Sequence, residues 1–262
     1  MASPEGGRRR RGATRKQVAL RALIATLAVA LCVGIAYAAV QLSADPRLAL
    51  GDVAVAGAQR TGTGAVLAAA ALPRGRDVWL LDTADAARRV EALPWVAAAQ
   101  VRRTWPNRVA IVVSERVAVA RLSLDPSVAD GPCALVDSTG RVLESGTQQP
   151  ADAQLPWLVV QPLPDDAASA GAQLGATAVG DALDALRRFG ELGVRMSEIE
   201  VEPITGITAV TLSNVRVMFG DSEDLATKLA LYDAIVKRIS RPQDVAYVDV
   251  RSTSAPTVQY RR

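Results

Sequence analysis

The most distinctive stretch of the chain has no polar rhythm at all. Residues 22–44 carry no charge, and Leu23, Ile24, Leu27, Val29, Leu31, Val33, Ile35, Val40 and Leu42 point in every direction around a helix. Such a helix is about 34 Å long, enough to cross the hydrocarbon core of a bilayer with slight tilt. Beyond it the pattern turns amphipathic. Val53 and Val55 share one face of a short strand over 50–55 that ends at Gly57. Thr61 or Thr63 can cap a helix that carries Val66, Leu67, Ala70 and Ala71 and stops at Pro73. Asp82 caps a second helix, with Asp85 in its first turn, Ala86, Val90 and Leu93 at helical spacing, and Pro94 as terminator. A strand over 96–101, a turn at Trp105-Pro106-Asn107 and the alternation of Val109, Ile111 and Val113, continuing through Glu115 and Arg116 toward Val119, complete a β-α-α-β-β order. Two helices must cover one face of that small sheet, or its valines would sit in water.

A second module follows. Residues 134–137 and 141–144 predict a hairpin around Ser138-Thr139-Gly140, and Leu155-Pro156-Trp157-Leu158 begins another short apolar run. Residues 161–176, rich in Pro, Asp, Ala and Gly, predict an exposed loop. Val179, Leu183, Leu186 and Phe189 line a helix closed by Gly190 and Gly193. Strands over 199–201, 207–212 and 215–219 are separated by Pro203, Gly206 and Ser213-Asn214. A helix from near Asp221 carries Leu225, Leu229, Tyr232, Val236 and Ile239 until Pro242. A final strand puts Val245, Tyr247, Asp249 and Arg251 on one side and Ala246, Val248 and Val250 on the other. The expected organisation is a tail 1–21, a membrane helix 22–44, a first domain 45–121 and a second domain 122–262, an α+β protein whose second sheet has an open edge. That edge offers unpaired N–H and C=O groups to another chain, or is blunted by Ser252, Thr253 and Pro256.

Charge sharpens this picture. The chain has 30 Lys and Arg against 27 Asp and Glu, but seven of the bases and only one acid lie in 1–21, so the body beyond 45 carries a net charge of −3. A basic tail before an apolar span and Asp45 after it place the tail in the cytoplasm and the body outside. A cleaved secretory signal is the rival reading, since Ala36-Tyr37-Ala38 fits a cleavage pattern; against it stand the long basic region and an apolar run that continues to Leu42. The acidic body does not look like a nucleic-acid binder.

The chain has no His and two Cys, one of them Cys32 within the apolar span and the other Cys133. This leaves no His-dependent triad and no Cys-rich zinc site, and neither metal nor cofactor is expected. Gly57-Ala58-Gln59-Arg60-Thr61-Gly62-Thr63 lies between a strand and a helix as a phosphate loop does, but Thr63 stands where a Lys is required. Asp165-Asp166 reads as a solvated pair, and Lys228 and Lys237 as solvent-facing positions on their helix. Asp221 with Glu223 is the carboxylate pair a wall-modifying enzyme would need, yet its spacing suits a helix N-terminus better than a cleft.

Val53, Val55 and Gly57, then Leu93-Pro94-Trp95-Val96, then Ala99, Val101, Arg103 and Trp105-Pro106, then Glu115-Arg116 with Ala118 and Ala120, resemble the FtsQ/DivIB family of bacterial division proteins. The chain departs from the family at Val117, where Pro often follows Glu-Arg, and in Ser252-Thr253-Ser254-Ala255-Pro256. The resemblance implies a membrane-anchored POTRA domain carrying Trp95, Val96, Arg103, Trp105, Pro106, Glu115 and Arg116, followed by a β domain. It implies a single-pass protein of the cell membrane at the division septum, binding rather than catalysing. Its expected partners are FtsB/FtsL-like bitopic proteins and, through them, septal wall-synthesis enzymes. On this resemblance Tyr247, Val248, Asp249, Val250 and Arg251, with Lys228 and Tyr232 on the helix before them, hold the partner site, and Arg102 with Arg103 offers a secondary contact. A membrane-anchored wall-modifying enzyme is the alternative.

Overall fold

The computed structural model of the chain describes residues 10–43, 47–128, 130–146, 150–175, 177–239, 241 and 244–261. Asp45, Pro242 and the first part of the basic tail lie outside the described residues. Helix α1 spans Arg10–Ser43, so the helical backbone begins well before the predicted apolar stretch. Its segment Ala19–Tyr37 is long and apolar enough to cross a membrane, and none of it is buried against the rest of the chain. A helix that is apolar all round and uncovered by protein needs a nonpolar solvent.

The first module is the predicted β-α-α-β-β unit. Strands β1 (Asp52–Ala56), β2 (Val96–Thr104) and β3 (Arg108–Glu115) form a sheet in the order β1-β3-β2, β3 running parallel to β1 and antiparallel to β2. Helices α2 (Thr63–Ala70) and α3 (Thr83–Glu91) flank a short 3-10 turn, Val78–Leu80. Val109, Ile111 and Val113 on β3 meet Val66, Ala70 and Val90 from the helices in one buried cluster, as their spacings require. The Asp82 side chain accepts the Asp85 amide at 2.9 Å and caps α3. Neither Thr61 nor Thr63 caps α2; its N-cap is Gly62 at φ 78°, with no side-chain bond. At Gly57, φ 85°, a Cβ would fall on the Val113 carbonyl, so only glycine lets β1 turn away this close to β3.

Strand β3 stops at Glu115 instead of continuing toward Val119. Residues 118–123 form β4 (Ala118–Ser123) in a second sheet, and the expected boundary at 121 falls inside that strand. With β5 (Cys133–Asp137), β6 (Val142–Gly146), β7 (Trp157–Val160), β8 (Met196–Glu202), β9 (Gly206–Thr211), β10 (Arg216–Gly220), β11 (Val245–Asp249) and β12 (Thr257–Tyr260) it makes a nine-stranded sheet ordered β12-β11-β10-β9-β8-β7-β4-β5-β6. Helices α4 (Thr177–Glu191) and α5 (Leu225–Val236) bury Val179, Leu183, Phe189, Leu225, Leu229 and Tyr232 with the inward strand residues. Phe189 and Tyr232 both meet Phe219 of β10 edge to face, at ring-centroid distances of 5.3 and 6.1 Å.

Three expectations need correction. The 161–176 loop is not simply exposed: Ala167 and Leu174 join the core, and its backbone is laced to Gly140 and Val142 through the Leu174 and Gly171 amides. Lys228 does not face solvent, because it falls between Leu225 and Leu229 on the inward stripe of α5; only 5% of it is exposed. Its ammonium leaves the apolar layer by bonding the Asp221 backbone carbonyl and carboxylate at 3.1 and 2.6 Å. The strict alternation expected over 245–251 also fails, since Val245, Val248 and Val250 are all buried and the register shifts between Val245 and Tyr247.

Gly57→Ala is expected to destabilise the fold by more than about 2 kcal/mol, from left-handed strain plus the carbonyl clash. Gly64→Ala, in α2 with open space around it, is expected to be neutral or to stabilise by up to about 1 kcal/mol. Urea unfolding of the two variants gives the comparison directly.

Candidate partner-binding site

The expected site residues fall into two groups. Of those in the first module, Trp95, Val96, Glu115 and Arg116 build its junction with the second, while Arg103, Trp105 and Pro106 lie elsewhere in the module. At the end of β3 the Glu115 carboxylate accepts the Arg60 amide at 2.9 Å and the Thr61 amide at 2.7 Å. The loop that resembles a phosphate cradle therefore holds an anion supplied by its own chain, and the Thr61 amide points at Glu115 instead of starting a capped helix. Burial pushes the Glu115 carboxyl up, but the Arg60 and Thr61 amides outweigh it and hold it below its ordinary value. The Arg60 guanidinium lies 4.2 Å over the Trp95 ring and pairs with Asp152 at 3.0 Å, across the two modules. Arg116 bonds the carbonyls of both residues before it in space, its amide to Trp95 and its Nε to Val96, and its Nη1 reaches Asp137 of β5 at 2.8 Å.

Asp137 is nearly enclosed, its side chain 6% exposed. Burial pushes its carboxyl up, while the Thr139 hydroxyl, the Arg141 amide and Arg116 bring it below its ordinary value. Val96 is fully buried, and Arg103 donates to the carbonyls of Val78 and Leu81, bracing β2 against the 3-10 turn. The secondary contact expected of Arg102 and Arg103 thus has one of its two side chains committed inside the module. Trp105 is 75% exposed, beside Pro106 in the β2–β3 turn.

The C-terminal group is divided differently from the sequence expectation. Residues 245–249 are not the sheet edge: β12 pairs antiparallel with β11 and takes the edge itself, matching Val248 with Val258 and Asp249 with Thr257. Val248 and Val250 point into the core, and Lys228 and Tyr232 are buried beneath them. Only Tyr247, Asp249 and Arg251 remain toward solvent. They extend cross-strand rows over the sheet: Trp157, Glu198, Val210, Arg216, Tyr247 and Gln259 are successive partners in one, and Val159, Glu200, Thr208, Met218, Asp249 and Thr257 in the next. Arg251 bonds Asp249 at 2.7 Å, which holds that carboxyl below its ordinary value and keeps the pair charged at neutral pH.

Sequence reasoning missed β12, although Thr257-Val258-Gln259-Tyr260 alternates β-forming residues just after Pro256. Tyr260 is 51% exposed at its end. Asp221 accepts the amide of Glu223 as well as the Lys228 ammonium, so these two carboxylates form a turn and not a facing catalytic pair.

Arg116→Ala strips Asp137 of its cation and should destabilise the chain by about 2 kcal/mol. Glu115→Gln should lower stability at pH 7 by about 1–2 kcal/mol, because one acceptor replaces two and the charge is lost. Both carboxyls titrate lower in the folded than in the unfolded chain. Their contribution is therefore whole above the unfolded values, about 4.3 for Glu and 3.9 for Asp, and is lost as pH falls through the folded ones. Urea unfolding should show the gap between wild type and Glu115→Gln closing as pH drops below about 4.

Comparison with known proteins agrees with this layout. A model of the FtsQ-type POTRA domain matches residues 48–116, and one of the cell division protein FtsQ/DivIB C-terminal region matches residues 128–251, stopping short of β12. The cell division protein FtsQ of Myxococcus fulvus is 32% identical over 231 residues, covering 84% of this chain and 77% of that protein. That of Syntrophotalea carbinolica is 27% identical over 251 residues, covering 91% and 84%. That of Mycobacteroides abscessus is 28% identical over 205 residues, covering 76% and 59%. A three-stranded POTRA unit, a nine-stranded second sheet and relatives aligned along most of both place this chain in the FtsQ/DivIB family of cell division proteins.

Proposed function

We propose that this chain is a single-pass membrane scaffold of the division machinery, acting by binding and not by catalysis. The observation that carries the reading is the place of β12 as the terminal strand of a nine-stranded sheet. A terminal strand presents a row of backbone donors and acceptors that an extended partner segment can continue. Val258, Gln259 and Tyr260, with Tyr247 and the Asp249–Arg251 pair beside them, supply the side chains that select the partner. Val248, Val250, Lys228 and Tyr232 support that surface from within and do not touch the partner.

The partners are FtsB/FtsL-like bitopic proteins, which bring septal wall-synthesis enzymes to the same place. The basic residues before the uncharged stretch 22–44 favour a cytoplasmic N-terminus, with both sheets on the opposite side of the membrane at the septum. The domain division that fits is an anchor, a POTRA module ending at Arg116, and a second module from Ala118 onward. A His-free chain with a carboxylate turn at Asp221 and Glu223 favours recruitment over wall hydrolysis.

Adjacent residues of a strand direct their N–H groups to opposite sides. Of Val258→Pro and Gln259→Pro, one therefore removes an outward donor while sparing the ladder to β11. That variant should lose at least about tenfold in affinity for the FtsB/FtsL-like proteins, since proline removes a bond and obstructs the approaching chain. Exchanging the charges as Asp249→Arg with Arg251→Asp should weaken binding without unfolding the protein. Co-purification of the full-length chain with those proteins reads both. Wild-type affinity in both proline variants would sink the strand-edge site, and release of wall fragments by the purified chain would favour the enzyme.

A further inference from the structure

The end of the first module where the chain arrives from α1 has an unusual surface. Residues 48–51 lie between two neighbours there. On one side Leu50 donates to the Arg76 carbonyl and the Val78 amide donates to Leu48, with Ala49 bridged to Asp77. On the other side Gly51 donates to the Asn107 carbonyl in the β2–β3 turn. The parallel pairing of Asp52 with Arg108 puts that turn at the same end of the sheet, and Arg103 binds β2 to the 3-10 turn. Three large apolar side chains are exposed on these two flanking segments: Trp79 at 47%, Leu80 at 57% and Trp105 at 75%. Exposed Arg74, Arg76 and Arg108 lie on the same segments, although the body as a whole is acidic.

Covalent reach decides what this surface faces. Leu42 is the last large apolar residue of the uncharged stretch, and six residues take the chain from there to Leu48. Six residues reach at most about 21 Å, while the polar layer of one leaflet is about 5–8 Å deep. The 3-10 turn and the β2–β3 turn, tied to residues 48–51 by backbone bonds, are thereby held beside the bilayer. Indole rings favour the headgroup layer, and arginines next to them are drawn to anionic lipid.

We propose that this end of the POTRA module docks on the surface of the bilayer that α1 crosses. Trp79, Leu80 and Trp105 sit among the headgroups, and Arg74, Arg76 and Arg108 lie against anionic phospholipid. The module is then held at a fixed angle to the membrane, and this sets the direction in which the second sheet extends. The inference rests on the reading of α1 as an anchor.

The anchor helix contains no Trp, so indole emission from the full-length chain reports only on the body. The test uses the full chain in nanodiscs of phosphatidylethanolamine and phosphatidylglycerol, with lipid brominated near the top of its acyl chains. Bromolipid should quench part of the emission, and Trp79→Phe with Trp105→Phe should remove most of the quenchable part. Arg74→Glu with Arg76→Glu should reduce the quenching, and so should replacing phosphatidylglycerol by phosphatidylcholine. Emission untouched by bromolipid but open to aqueous iodide, or quenching that the double Trp variant retains in full, overturns the proposal and leaves the patch to a protein partner. Flotation of the chain with membranes at alkaline pH reports the anchor separately. A chain that floats without lipid quenching refutes the docking alone, and one that does not float refutes the anchor.

Discussion

Two adjacent side chains at the end of β3, Glu115 and Arg116, hold the molecule's two sheets to each other. Glu115 turns back into the first module and neutralises the backbone amides of the loop between β1 and α2. Arg116 turns forward and gives its guanidinium to Asp137 in the second sheet. Between Glu115 and Ala118 the chain has two residues in which to leave one sheet and join the next. Such a short crossing transmits orientation only if both ends are braced, and the Arg60 side chain, stacked on Trp95 and paired with Asp152, adds a second brace from the same loop. The Glu-Arg dipeptide is thus the bonded joint between the first module and the sheet that carries the candidate site.

The second sheet is covered by α4 and α5 on one face, and Glu198, Glu200, Arg216, Tyr247 and Asp249 reach solvent from the other, whereas β5, buried at all of its positions, is covered on both. That asymmetry explains why β7 and β10 alternate and why Tyr247 and Asp249 look outward while Val248 and Val250 look in. The irregular register of β11 lets Val245 and Val248 both reach the core although they are three residues apart. Lys228 shows the same economy: its stem fills an inward position of α5 and its charge escapes to Asp221 at the rim.

The elements themselves were largely legible in the sequence. Period-two runs at Val109, Ile111 and Val113, helical stripes at Val179, Leu183 and Phe189, the Asp82 cap and the hairpin at Ser138-Thr139-Gly140 all appear where local pattern puts them. The candidate site was legible only in part. Of the seven residues expected to meet a partner, three remain on the surface, because whether a strand is an edge depends on which segment pairs with it. Thr257–Tyr260 is too short for its own periodicity to announce that pairing.

The sequence by itself determined the apolar span, the concentration of bases before it, the absence of His and the order of strands and helices, since each of these is a property of neighbours along the chain. Only the tertiary structure decided that Glu115 fills the anion-shaped loop 55 residues before it, that Lys228 lies inside, and that β12 covers β11. Each of those outcomes joins groups far apart in sequence, and local hydrophobic period carries no record of which distant amide, carboxylate or strand edge will meet it.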